Sequence, residues 1–204
     1  MKNCKAIMTG GDGNNTADFS ARKVVLTLKN NGTADDGESG EAANVASDIK
    51  KLIGGFGADE IVGGSGDDTL IGGPGADNLT GGSGTDVADY SGAPAGVTIN
   101  LCYAAAIATC TGSPDGTGAS DKVFQIEHLV GSAFADTLNG GDATAAVGLL
   151  IEGGLGIDTI TGGAGMDTIY GDAGDDIIDG GGGDDELHGD AGDDSLNGGA
   201  GDAD

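Results

Sequence analysis

A nine-residue unit built on glycine and aspartate recurs along this chain, and it leaves few folds open. From Gly54 the sequence reads GGFGADEIV, GGSGDDTLI, GGPGADNLT and GGSGTDVAD. From Gly153 it reads GGLGIDTIT, GGAGMDTIY, GDAGDDIID, GGGGDDELH and GDAGDDSLN. Each copy fits G-G-x-G-x-D-x-U-x, with U a large aliphatic residue except at Ala88. Positions 7 to 9 are long enough for a short strand. Strand side chains alternate between faces, so each copy turns one residue inward: Ile61, Leu70, Leu79, Ile160, Ile169, Ile178, Leu187 and Leu196. A unit that buries one side chain has no core of its own, and copies must stack to make one.

Composition agrees with a thin, stacked interior. The chain has 204 residues with Gly 44, no Trp and 3% aromatic residues, too few large side chains for a conventional globular core. Its 34 acidic against 8 basic residues give a net charge of −26, which repels phosphate and argues against nucleic acid and anionic membranes as partners. No segment approaches the roughly 20 apolar residues of a membrane span, so membrane insertion is not expected. The other reading of such a composition is an acidic, low-complexity linker without structure.

The nonapeptides resemble the RTX (repeats-in-toxin, hemolysin-type) calcium-binding repeat. The resemblance implies an all-β chain folded as a right-handed parallel β-roll, a β-helix or solenoid with calcium ions in its turns. Two nonapeptides then make one coil, and repeat n lies over repeat n+2. Calcium takes roughly 6–8 oxygen ligands from carboxylates and carbonyls alike. On this reading the position-6 carboxylates are ligands: Asp59, Asp68, Asp77, Asp86, Asp158, Asp167, Asp176, Asp185 and Asp194, with Asp136 in a divergent copy. Glycines at positions 1, 2 and 4 free the backbone for φ > 0 and turn its carbonyls toward the ion. The carbonyl set at positions 2 and 4 comprises Gly55, Gly57, Gly64, Gly66, Gly73, Gly75, Gly154, Gly156, Gly163, Gly165, Gly174, Gly181, Gly183 and Gly192. Stacking pairs Asp59 with Asp77, Asp68 with Asp86, Asp158 with Asp176, Asp167 with Asp185, Asp176 with Asp194, and Asp136 with Asp158. About five to eight ions are expected. One buried aliphatic per repeat returns less than the ordering of a glycine-rich backbone costs, so metal binding should supply folding free energy.

Longer units separate the arrays. GGDGNNTADFS at Gly10 matches GGSGTDVADYS at Gly81 at an offset of 71, and IKKLIGGFGADEIVGG at Ile49 matches IEHLVGSAFADTLNGG at Ile126 at an offset of 77. Between them lie the alternating strands VVLTL (24–28) and VTINL (97–101), each followed by a polar loop. A-D-Y-S, V-T-x-x-L and I-E-x-L-x-G-S segments are also similar to the RTX family, so they read as wide coils of one continuous solenoid. The expected organisation is a lead-in (1–9), a divergent repeat and wide coil (10–53), array one (54–89), a wide coil (90–130) and array two (131–204).

Several positions depart from the pattern. Asn15 replaces the position-6 aspartate and reads as a neutral, weaker ligand. Ser132 and Phe134 replace two glycines, so that turn is expected to lack a metal. GGDATAAVGLLIE (140–152) reads as an apolar bulge, and Ala203 ends the coordination. Cys102 and Cys110 either close a small disulfide loop or are two buried thiols, and Cys4 is left single. KNCKAIMT lacks the apolar core of a secretory signal. The uncapped ends read as those of a piece of a longer protein, with end-to-end self-association an expected consequence.

Three functional classes follow. The first is a non-catalytic calcium-binding module that folds on calcium outside the cell. By resemblance it belongs to a secreted, type I-exported or cell-surface bacterial protein such as an adhesin, toxin or exoenzyme. The second is an enzyme, against which stands the lack of a convergent base, nucleophile and pocket; His128 and His188 read as surface residues. The third is an adhesive surface for a polysaccharide, ice or a neighbouring cell, formed by outward Thr and Asn such as Thr69, Asn78, Thr80, Thr159 and Thr161. Glu60, Asp179, Glu186 and His188 interrupt that face.

Overall fold

A computed structural model describes residues 7–8, 10–32, 37–38, 44–103, 113–141, 143 and 147–201. Among them there is no helix, and the strands form two long, mainly parallel sheets with a two-stranded sheet beside them. The chain is a parallel β-roll. The first sheet stacks Asn15–Asp18, Ile49–Ile53, Thr69–Ile71, Val87–Asp89, His128–Val130, Leu150–Glu152, Thr168–Tyr170 and Glu186–His188. The second contains Leu26–Lys29, Glu60–Ser65, Asn78–Ser83, Ser120–Phe124, Thr98–Cys102, Thr137–Asn139, Thr159–Thr161, Ile177–Asp179 and Ser195–Asn197.

Register turns the repeat into columns. In the first sheet Leu52, Leu70, Ala88, Leu129, Ile151, Ile169 and Leu187 stand over one another. In the second, Leu138, Ile160, Ile178 and Leu196 do the same. Inward residues such as Ile61, Leu70, Leu79 and Ile169 have no solvent exposure, so two facing aliphatic columns make the core. Leu196 departs from this: it occupies the inward position yet is 48% exposed, because its strand is the last of the second sheet. Among the nonapeptide strands two are longer than three residues, since Glu60–Ser65 and Asn78–Ser83 run on into the first glycines of the following repeat.

The segment between the arrays is more than a wide coil. After Val87–Asp89 the chain lays Thr98–Cys102 beside Thr137–Asn139, one rung ahead of where it left off. It then returns, and Ser120–Phe124 fills the gap between Asn78–Ser83 and Thr98–Cys102. Ser113–Pro114 folds antiparallel onto Ser120–Phe124. A forward step and a back-step thus put an additional strand in one sheet while the other continues uninterrupted. Cys102 is disulfide-bonded; Cys4 and Cys110, its partner on one of the two readings, fall outside the described residues, as does Ala203.

Candidate metal sites

The residue two places before each inward aliphatic sits at the mouth of the turn, and register stacks these residues along both edges of the roll. Along the second sheet, the N–H of Asp59 donates to Asp77 Oδ1 at 2.7 Å, and that of Asp77 to Asp121 Oδ1 at 2.7 Å. A second run follows, in which Asp136 donates to Asp158 (2.7 Å), Asp158 to Asp176 (2.8 Å) and Asp176 to Asp194 (2.9 Å). Along the first sheet Asp68 donates to Asp86 Oδ1 at 2.9 Å and Asp86 to Glu127 Oε2 at 3.0 Å. Asp167 donates to Asp185 Oδ1 at 2.9 Å. All six stacked pairs expected from the repeat are therefore neighbours. Two further neighbours, Asp77–Asp121 and Asp86–Glu127, are not nonapeptide pairs. Their signal was present as D-x-U and E-x-U: Asp121-Lys122-Val123 and Glu127-His128-Leu129 keep the carboxylate-to-core spacing without glycine at positions 2 and 4.

Each ladder starts where an apolar residue or a lysine takes the rung position. Leu26, Val97 and Leu149 donate their N–H to Asp59, Asp136 and Asp167 at 2.7, 2.7 and 2.8 Å. The apolar segment 140–152 thus supplies a strand and a rung through its last residues, Leu149 and Leu150–Glu152, beyond the expected bulge. The turn at Gly131, expected to lack a site, holds Asp136 in the ladder. Ser132 donates to it from its N–H (2.5 Å) and its hydroxyl (2.8 Å).

The glycines serve two separate needs. Position 2 takes the left-handed conformation in most copies, with φ 103° at Gly154, and Asp172 and Asp190 adopt it at 68° and 63°; Gly55 and Gly163 do not. Asp tolerates that region better than most side chains. Position 1, expected at φ > 0 as well, does not adopt it; there the constraint is space. A Cβ on Gly153 would come within 2.6 Å of Asp158 Oδ2 and 2.7 Å of the Gly171 carbonyl. Stacked turns therefore bring backbone carbonyls and the carboxylate of each rung into close proximity.

The ladders leave acceptors over. Asp68, Asp77, Asp86, Asp158, Asp176 and Asp185 each bury an Oδ2 that receives no hydrogen bond. A buried carboxylate oxygen without a donor is costly unless a proton or cation meets it. Burial is accordingly the leading cause of raised carboxyl pKa values, reinforced by neighbouring acids. Asp77 is pushed up to about 8 with Asp121, Asp59 and Asp115 nearby, and Asp158 to about 7 beside Asp136 and Asp176. Asp86 rises to about 6 beside Asp68 and Glu127, and Asp121 to about 7 beside Asp115. Asp59, Asp68, Asp167 and Asp176 are raised for the same first reason. Tyr90 adds a hydroxyl to the Asp121 site, donating to Oδ2 at 3.1 Å.

Among the described residues no three His, Cys, Asp or Glu side chains converge on one point. A metal in these gaps would draw on one or two carboxylates and otherwise on main-chain oxygen. That all-oxygen, carbonyl-rich donor set fits calcium and suits neither zinc nor copper. The histidines lie elsewhere: His128 Nε2 is 3.2 Å from Glu152, while His188 meets Glu186 at 3.0 Å and stacks on Tyr170 at 4.5 Å.

Comparison with protein families matches the RTX calcium-binding nonapeptide repeat in four copies, over residues 53–88, 125–144, 152–187 and 179–202. The matches span both arrays and the re-entry segment that carries Glu127. No curated protein matches the chain.

Proposed function

Since this chain belongs to the family of RTX calcium-binding nonapeptide-repeat proteins, we propose that it is a non-catalytic module that folds when calcium fills its turns outside the cell. The observation that carries this reading is the set of buried carboxylate oxygens without donors, repeated rung after rung beside glycine-lined turns. The ligands we assign are the ladder carboxylates of the repeats, joined by Asp121 and Glu127, together with turn carbonyls. Among the described residues eight gaps separate successive carboxylate rungs, from the pairs 59/77, 77/121, 68/86, 86/127, 136/158, 158/176, 176/194 and 167/185. Bound calcium would supply the positive charge these gaps need. Without it, facing carboxylates repel one another across a dry turn, and the backbone ordering of a glycine-rich chain is poorly offset. Extracellular calcium modules work at about 10⁻⁴–10⁻³ M, a range that separates the exterior from a low-calcium cytosol. Secretion from a bacterium and the absence of catalysis belong to the same proposal.

Far-UV circular dichroism in chelator, followed by calcium titration with magnesium as control, tests the reading. The expected result is little β signal in chelator and a cooperative gain with calcium alone. Full β signal in excess chelator would overturn it.

A further inference from the structure

The Asp68–Asp86–Glu127 ladder starts unlike the other three. The rung over Asp68 is held by Lys50, the residue before the Lys51–Thr69 pair. Its ammonium lies 3.2 Å from Asp68 Oδ1 and 3.0 Å from the carbonyl oxygen of Ser65, at position 3 of the turn. A Cβ on Gly66 would come within 3.0 Å of the same nitrogen, so it sits directly against the turn. Asn30, itself buried, donates Nδ2 to that Oδ1 at 3.1 Å and to the Ile49 carbonyl at 2.6 Å.

The next rung outward repeats the device with a neutral group. Asn15 stands at position 6 of the Gly10 repeat, and its Nδ2 donates to the carbonyls of Gly11 (3.0 Å) and Gly13 (3.1 Å), positions 2 and 4 of that turn. Beside the ligand role expected of it, Asn15 has a second one in this fold. It is a donor to the oxygens that would otherwise face a cation.

We propose that Lys50 is a tethered counter-cation: its ammonium takes the place of a bound calcium ion at the amino-terminal end of this edge. The inference rests on the calcium reading of the other rungs. An ammonium presents three donors and one positive charge, and two of those donors meet a carboxylate and a turn carbonyl here. A divalent ion in the same gap would meet a like charge at contact distance. The edge therefore starts on a group the chain carries with it, and calcium is needed only from Asp68 onward.

The test counts calcium on the intact chain by native mass spectrometry and follows folding by circular dichroism. Lys50→Glu continues the carboxylate ladder by one rung, and one additional calcium per chain is expected. Lys50→Arg keeps the charge, and its count should match the parent. Lys50→Met removes the charge without adding a ligand, and the calcium midpoint for folding should rise by about twofold or more. An unchanged count in folded Lys50→Glu overturns the proposal, as does an unchanged midpoint in Lys50→Met. Should Lys50→Glu not fold, the Lys50→Met midpoint alone decides. A parent chain that binds no calcium would instead sink the calcium reading itself, which separates the two failures.

Discussion

Array two carries its longer acidic ladder almost wholly on the nonapeptide: Asp158, Asp176 and Asp194 follow one another 18 residues apart below Asp136. Array one finishes both of its ladders with carboxylates from outside the repeat. Asp121 arrives on a strand that has stepped back into the sheet, and Glu127 arrives from the re-entry segment 44 and 41 residues after their respective neighbours, in that order. Both arrays nevertheless make the same contact, a rung N–H on the carboxylate of the next coil. The difference teaches that the ligand column is a property of rung register. The nonapeptide is one economical way to hold that register, and an inserted strand with D-x-U or E-x-U spacing is another.

If register governs, two residues at the same repeat position should behave differently when their rungs differ. Ile160 and Leu196 are both position-8 residues of array two in one aliphatic column. Ile160 is 1% exposed and Leu196 48% exposed. At saturating calcium, Ile160→Ala should cost about 2–5 kcal/mol, against less than roughly 1 kcal/mol for Leu196→Ala. Urea unfolding measures both, and equal losses would make repeat position, and not rung, the governing variable.

Conversely, residues at unlike sequence positions but alike in register should respond alike. Asp158→Asn in the repeat and Asp121→Asn in the insertion each remove one carboxylate from a ladder, leaving an amide of the same shape. Each is expected to cost about 1–3 kcal/mol in calcium, the range for an acceptor lost from a buried, charged network, and each should raise the calcium midpoint. A midpoint that moves for Asp158→Asn alone would remove Asp121 from the ligand set and return the column to the repeat.

Much of this was legible in the residues. The period of nine showed the repeat and its one inward aliphatic, because a three-residue strand has one inward place; the two sheets and the six stacked aspartate pairs followed only from the resemblance to the RTX repeat, which implies two nonapeptides per coil. The back-step at Ser120–Phe124 was not legible. Val97-Thr98-Ile99-Asn100-Leu101 reads as a strand in either rung, and only the closing of a gap between neighbouring coils decides which one it fills. Asp121 and Glu127 were missed along with it, since positions 2 and 4 before them hold Thr117 and Ala119, and Val123 and Gln125, in place of glycine. Lys50 and Asn15 were hidden for a different reason. A lysine within an aliphatic strand looks like solvated surface until the turn it leans on is placed beside it.

Protonation separates the two arrays once more, with a smaller effect. Asp77, Asp86 and Asp121 have pKa values raised to about 8, 6 and 7, and all three belong to array-one ladders; in array two Asp158 is raised to about 7. A carboxyl whose folded pKa lies above its unfolded value near 3.8 holds its proton more tightly in the metal-free fold. Its contribution to that fold is complete below about pH 4 and is lost as pH rises through 6 to 8. In a fold already held by calcium at other gaps, a further ion must displace these protons from the gap it enters, so the last sites to fill should weaken as pH falls from 8 to 6. Each proton displaced contributes at most about tenfold per pH unit. The calcium midpoint should therefore be higher at pH 6 than at pH 8, and the ratio should shrink in Asp77→Asn, which removes the group with the highest value. Asp77→Asn also deletes a ligand, so its midpoint rises at both pH values, but only loss of the titrating proton narrows the ratio between them. A ratio identical in the parent and in Asp77→Asn would show that proton competition resides elsewhere, and array one would lose its distinction.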